Sequence, residues 1–258
     1  MSVFPAWLDP NLAPPQLIFA FSVTLLAGVI KGLVGFAMPM IMISGLTLIL
    51  APDLALAALI LPTLLSNLMQ AFRGGLLGAA RSAWRFRVYL GTLLVVLGVT
   101  TQLVPAIPER TFYLILGIPI VLFTLFNLGA KGLRLARQSA VLEVAIGIVS
   151  GFAGGISGIW GPPTVAYLTA LDLAKADHVR VQGIIYASGA LMLFLGHSRS
   201  GILNAQTLPL SLWMIVPALA GVGLGQLLQD RIDQRLFRRV TLLILLVAGL
   251  NLLRRGLT

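Results

Sequence analysis

Cysteine is absent from all 258 residues, which removes disulfides, thiolate nucleophiles and thiolate metal ligands from consideration. Histidine occurs only as His178 and His197 and glutamate only as Glu109 and Glu143, too few and too scattered for a zinc or two-metal centre. Charge is scarce altogether. Only 10% of residues are charged against 58% hydrophobic, where a soluble domain would carry about a quarter charged. The chain therefore reads as an all-α polytopic membrane protein, with the bilayer as its solvent. It has no Walker P-loop and no polar segment large enough to bind ATP, so any transport it performs is expected to be secondary or facilitated, without cofactors. The opening MSVFPAWLDPNLAPPQ has no basic residue, unlike the front of a cleaved signal peptide, and is expected to be retained.

Among the scarce charges, Lys and Arg outnumber Asp and Glu by 18 to 8, for a net charge of +10. The basic residues lie in short segments between apolar runs and form neither a stripe nor a tail, so they mark topology and no nucleic-acid partner is expected. Membrane lipid is the expected surroundings; a homodimer is left open.

The segment Gly151-Phe-Ala-Gly-Gly-Ile-Ser-Gly-Ile-Trp-Gly-Pro-Pro163 places five glycines and two prolines inside an apolar stretch, where helix is otherwise expected. It has a counterpart. With a shift of 123, Gly28, Gly32, Gly35 and Pro39 fall on Gly151, Gly155, Gly158 and Pro162. Asp53 then pairs with Asp177 and Asn127 with Asn251 at 124, and Arg110 and Phe112 with Arg235 and Phe237 at 125. The near-constant shift identifies a tandem duplication. It divides the chain into a first membrane repeat (1–129), a cytoplasmic linker (130–140) and a second membrane repeat (141–258).

Each repeat is expected to hold a broken apolar stretch (17–50, or 141–171) and three ordinary spans, about 54–72, 88–104 and 112–128 in the first and 179–195, 208–228 and 236–253 in the second. If the broken stretches are hairpins, the repeats are inverted; if each crosses once, they are parallel. Lys and Arg in short loops favour the cytoplasm. Hairpins place thirteen of them inside and leave only Arg110, Arg199, Arg254 and Arg255 outside, whereas single crossings give ten against seven. The expected architecture is thus two inverted repeats, each a glycine/proline-broken helical hairpin plus three transmembrane helices, with both termini outside. Hairpin arms of about 15 to 17 residues are expected to end part-way through the membrane.

Unwound chain at membrane depth is tolerated only inside protein or beside a polar cavity. After each break a new helix starts at or beside Pro39 or Pro162, a position where the missing proline N–H is harmless. Two helix N-termini converging with their unpaired N–H groups make an anion site, and Gly32, Gly35, Gly155 and Gly158 let the anion approach the backbone. Lys31, an ionisable residue inside an apolar stretch, strengthens that reading; its repeat partner is Gly154, so the halves contribute unequally. Snorkelling to a headgroup is its rival interpretation.

The elements GVIKGLVGFAMPM and GFAGGISGIWGPPTVAYL, the duplication and the length together resemble the TauE/SafE family of sulfite and organosulfonate exporters, the TSUP anion permeases. The first element departs from the second in carrying Met38 where Gly161 stands, and in its lysine. The resemblance implies a secondary transporter or permease for small sulfur-containing oxyanions in a bacterial cytoplasmic membrane. Polar groups flanking the breaks complete the candidate site. Asn67 and Gln70 share a face of the following span, as do Gln182 and Tyr186 on its counterpart; Thr164 offers a hydroxyl, and Trp160 an apolar surface for an organic substrate. Interhelical hydrogen bonding and core packing are their alternative roles. Met38, Met40 and Met42 are expected to pack between helices. Gly155-Ile-Ser-Gly158 also has the G-x-S-G form of an intramembrane serine protease, but the expected role of Ser157 is to meet the ligand or cap a half-helix. An anion channel is the other alternative.

Overall fold

The computed structural model describes residues 14–72, 75–129, 138–171, 173, 175–228 and 234–258. The opening segment before Pro14, Arg73, Arg231 and the linker cations Lys131, Arg134 and Arg137 lie outside the described residues. The described chain is helical: α1 (Pro14–Val34), α2 (Met38–Leu46), α3 (Pro52–Phe72), α4 (Leu76–Arg85), α5 (Arg87–Thr100), α6 (Glu109–Gly129), α7 (Ala140–Ser157), α8 (Gly161–Ala170), α9 (Lys175–Ser200), α10 (Leu208–Leu228) and α11 (Gln234–Leu257). Five helices, α1, α3, α7, most of α9 and α10, are long and apolar enough to cross a membrane, and α4 with α5 makes a sixth candidate bent by 83°. This is a multi-pass membrane protein.

Both broken stretches fold back on themselves. Gly45 of α2 packs on Val23 of α1. In the second half the Tyr167 hydroxyl of α8 donates to Glu143, in the first turn of α7, at 3.3 Å. The arms are unequal, against the expectation of two similar ones: 21 and 9 residues in the first hairpin, 18 and 10 in the second. The first arms carry nothing to stop a helix before the glycine break, whereas α2 ends where the Thr47 hydroxyl bonds the Ile43 carbonyl at 2.7 Å and Pro52 starts the next helix. At 1.5 Å per residue α1 is about 31 Å long, enough for a full crossing, and α2 about 14 Å.

Glycine decides how the hairpins meet their neighbours. α1 lies parallel to α10, with the Thr24 hydroxyl on the Met214 sulfur at 3.2 Å and Gly28 and Gly32 facing Ala218, Gly221, Val222 and Gly225. A Cβ at Gly28 would overlap the Ala218 carbonyl, and one at Gly32 the Val222 carbonyl. The backbones are in direct contact, the small-residue packing that stands in for the hydrophobic effect inside lipid. α7 lies parallel to α5 in the same manner: Gly147 faces Tyr89 and Thr92, Gly151 faces Leu93 and Val96, and Gly155 faces Leu97 and Thr100. α3 and α9 run antiparallel, with Gly183 against Gln70 and Ala71 at one end and Leu59 and Leu193 meeting around Gly158 towards the other. α6 and α11 are antiparallel too, with Gly117 against Gly249 and Leu253, and Gly256 against Leu114. Exchanging the two halves maps α1–α10 onto α7–α5 and returns α3–α9 and α6–α11 to themselves.

The crossing of α1 and α10 yields a paired test. Gly221→Ala places a methyl group on the Leu25 carbonyl, where only backbone can give way, while the space beside Gly223 is open. Gly221→Ala is expected to destabilise by about 1 to 3 kcal/mol, read as a lower midpoint of thermal unfolding in detergent, and Gly223→Ala to leave the midpoint unchanged.

Candidate functional site

The two helix breaks are built alike. Gly35 and Gly158, partners under the repeat, both adopt left-handed backbone with φ of +83° and +72°, a conformation that releases the chain from α1 and α7. The last bond of each arm is the same in kind, with Gly35 N–H on the Lys31 carbonyl at 2.7 Å and Gly158 N–H on the Gly154 carbonyl at 2.8 Å. Ala37 is left-handed as well, φ 75°, and is the one described non-glycine residue that is. Such a conformation costs an L-residue on the order of 1 to 2 kcal/mol, and strain of this kind gathers at functional sites. Pro39 and Pro162 occupy the first turns of α2 and α8 as expected.

Between the breaks lies a small cavity of about 20 Å³. Phe36, Ala37, Pro39 and Met40 approach from the first hairpin, and Gly158, Ile159, Trp160 and Gly161 from the second. Lys31, Asn67 and Tyr186 complete the wall, contributed by α1, α3 and α9. Both half-helices thus present their N-terminal turns to the same space, and the first N–H groups of a helix have no partner within it.

Lys31 is buried, with 4% of its surface exposed, so its ammonium does not reach a membrane surface. Its Nζ donates to Asn67 Oδ1 and lies 5.8 Å from the centre of the Tyr186 ring, within cation–π range. Among the described residues no carboxylate forms an ion pair with it; the ion pair present there is Arg180–Asp177, at 3.1 Å on the protein's exterior. A buried lysine held by an amide and an aromatic face thus borders a cavity shared with two helix N-termini, all groups of positive sign. Gly154, which the shift of 123 aligns with Lys31, is closely packed. A Cβ at Gly154 would stand 3.0 Å from the Trp160 ring, so a side chain there requires the ring to shift.

Other residues proposed from the sequence are distributed around this space. Gln182 donates its amide to the Gly35 carbonyl at 3.1 Å and so ties α9 to the first break; Gln70 also approaches Gly35. The Tyr186 hydroxyl donates to the Gly161 carbonyl at 3.3 Å, and its ring meets Trp160 edge-on with centroids 6.3 Å apart. Gly32 and Gly155 are not among the lining residues; they are the helix crossings already described, with the Gly155 carbonyl also bonded to His197 Nε2 at 3.0 Å. Ser157 caps the second break: its hydroxyl donates to the Ala153 carbonyl at 2.6 Å and accepts the Ile159 N–H at 3.2 Å. His197 contacts Gly155 and Ser200, and no histidine bonds Ser157 among the described residues. Thr164 donates to the Trp160 carbonyl at 2.7 Å and shares a 2.7 Å bond with the Tyr89 hydroxyl behind the cavity wall.

Sequence reasoning missed two things here. Phe36, Ala37, Met40, Ile159 and Gly161 line the cavity though none carries a chemical signature; proximity to the glycines was the only available signal, and Met40 is wall as well as packing. Tyr89, Ser150, Glu143 and Tyr167 form a polar seam between α7, α8 and α5. The Tyr89 hydroxyl bonds Ser150 at 2.9 Å, and its ring stacks on Tyr167 with centroids 5.9 Å apart. The Tyr89 N–H donates to Glu143 at 3.2 Å. This seam anchors the second hairpin.

Comparison with curated proteins and with solved structures gives no match. A family model does match, described as sulfite exporter TauE/SafE, over residues 20–252. That range takes in both broken hairpins, the lysine and the partner helices of both halves, so the chain belongs to the TauE/SafE sulfite exporter family.

Proposed function

We propose that the protein carries a small sulfur-containing oxyanion, such as sulfite or a sulfonate, across a bacterial cytoplasmic membrane by secondary or facilitated transport, and that the anion binds in the cavity between the two helix breaks. The observation that carries this reading is Lys31: a buried cation in a cavity, with neutral partners and no carboxylate paired to it among the described residues. The anion supplies the missing countercharge. Asn67 holds the ammonium in place, Tyr186 backs it, and the N–H groups that the prolines leave in the first turns, those of Met38 and Met40 in α2 and of Gly161 in α8, are offered to the anion oxygens. Trp160 gives an organic substituent an apolar surface. Gly35, Gly158, Pro39 and Pro162 shape the breaks, and Ser157, Thr164 and Gln182 hold that shape. Family membership supports an anion exporter-type activity.

Alternation between two faces is the role of the inverted repeats in this proposal. The helix directions support them. α7 runs with α5; α5 runs with α9, since Gly98 meets Met192 and Gly196 meets Thr101; α9 opposes α3. α3 shares the direction of α1: Leu61 N–H bonds Ser211, beside the Trp213 that stacks on Phe21, and further along Asn67 meets Lys31. α7 therefore opposes α1, its repeat partner. In the proposed arrangement both termini face outward and the segment between α3 and α5 faces the cytoplasm.

Flux measured in liposomes across a panel of anions, cations and neutral solutes tests the substrate class: selective movement of sulfite or sulfonates is expected, and selective movement of a cation would overturn it. Lys31→Ala is expected to weaken anion binding by about 2 to 5 kcal/mol, the range for removing one partner of a buried charge pair, with folding little affected. Lys31→Arg keeps the charge but misplaces it, since a planar fork does not fill the position of an ammonium, and intermediate affinity is expected. Near-wild-type affinity in Lys31→Ala would remove the lysine from the site. For topology, Thr258→Cys in this cysteine-free chain is expected to react with an impermeant maleimide in intact cells; reaction only after permeabilisation would contradict the inverted arrangement.

A further inference from the structure

Outside the cavity, the most unusual element is α4. It follows α3 through Gly75, whose left-handed backbone turns the chain, and it meets α5 at 83°. α5 lies along α7, a helix long and apolar enough to cross a membrane, so α4, at 83° to α5, lies near the plane of the bilayer. Its sequence, LLGAARSAWR, sorts into three faces at about 100° per residue. Ala79 and Ser82 are buried towards the protein, and Gly78 packs on the Arg180 side chain of α9. Leu76, Leu77, Ala80 and Trp84 form a second, exposed face; Leu76 is 73% exposed, Leu77 81% and Trp84 71%. Arg81 and Arg85 form the third, also exposed, and Arg87 extends it, its guanidinium stacked 4.8 Å over the Trp84 ring.

An open apolar face of this kind is not stable in water, and a 10-residue helix is too short to span. An apolar face beside an arginine edge fits the boundary between acyl chains and headgroups, with tryptophan at the level it prefers. Met69 and Phe72 at the end of α3, the spanning helix that precedes α4, are exposed as well. The charge complementarity is one-sided. α4 has no acidic residue, and Asp177 on the adjoining turn of α9 is already paired with Arg180; Glu143, reached from Arg85 through Gln138, is buried and bonded to Tyr89, Tyr167 and Gln138, so only the Arg85 Nε is engaged there and its terminal amino groups face outward. We infer that α4 is an interfacial helix that binds anionic phospholipid, with Leu76, Leu77 and Trp84 in the acyl boundary and Arg81, Arg85 and Arg87 on phosphate groups. The helix is joined to the end of α3 that carries Asn67 and packs on the start of α9 that carries Gln182 and Tyr186, so the lipid anchors two walls of the cavity.

The probe is a fluorophore on Leu77→Cys, the only thiol in the chain, in full-length protein reconstituted into phosphatidylcholine vesicles with or without phosphatidylglycerol. The account expects quenching by brominated acyl chains and protection from aqueous iodide. Quenching by iodide would overturn it. So would a disulfide joining two copies of the unlabelled Leu77→Cys variant, which would make the face a protein interface. Selectivity is read separately, as phosphatidylglycerol retained over phosphatidylcholine in native mass spectra. At about 1 kcal/mol for each arginine near an anionic surface, Arg81→Gln with Arg85→Gln is expected to lower that preference roughly thirtyfold. Arg81→Lys with Arg85→Lys is expected to keep it, since the charge remains. An unchanged preference in the glutamine variant, or no preference in the wild type, would overturn the anionic-lipid assignment.

Discussion

A peptide group buried in hydrocarbon must find a hydrogen-bond partner, and that requirement governs this structure. A chain can leave the helix at membrane depth only where other protein surrounds it. Here the two departures, at Gly35 and Gly158, enclose each other and are walled by α3 and α9. The carbonyls and hydroxyls around them are engaged one by one: Gln182 on the Gly35 carbonyl, Tyr186 on that of Gly161, Thr164 on that of Trp160, and Ser157 across its own break. What faces the cavity besides them is the N-terminal turns of α2 and α8 and the ammonium of Lys31, which Asn67 holds without neutralising; all are of the sign that attracts an anion.

The same constraint explains the use of glycine. Without a hydrophobic drive between helices in lipid, the hairpins are held by close backbone contact at Gly28, Gly32, Gly221 and Gly225 on one side and Gly147, Gly151 and Gly155 on the other. Glycine thus serves two ends within a few residues: release of the helix at Gly35 and Gly158, and close approach just before it. A sequence alone does not separate these uses. Both appear as glycine at helical spacing, and only the neighbour across the interface tells that Gly32 meets Val222 while Gly35 turns the chain.

Much of the architecture was nonetheless legible. The shift of 123 aligned Gly35 with Gly158, and the two share a backbone conformation; the hairpins, the proline-led half-helices and the ordinary spans follow the pattern expected of a duplicated membrane chain. Lys31, Asn67, Trp160 and Tyr186, singled out because polar or aromatic groups are costly or informative inside lipid, come together around one cavity. The length of the arms was not legible, because apolar residues run on past the end of α2 and only the Thr47 turn and Pro52 stop it. The seam of Tyr89, Glu143 and Tyr167 was hidden for another reason. Its members are 54 and 24 residues apart and lie on three helices, so no local pattern links them.

The central claim is that both broken helices and Lys31 meet one anion. Crystals soaked in selenite, a heavier analogue of sulfite, and measured at the selenium edge would locate it directly. The account predicts an anomalous peak inside the cavity, between Lys31 and the first turns of α2 and α8, which disappears in Lys31→Ala. Peaks confined to surface arginines, with the cavity empty, would contradict it.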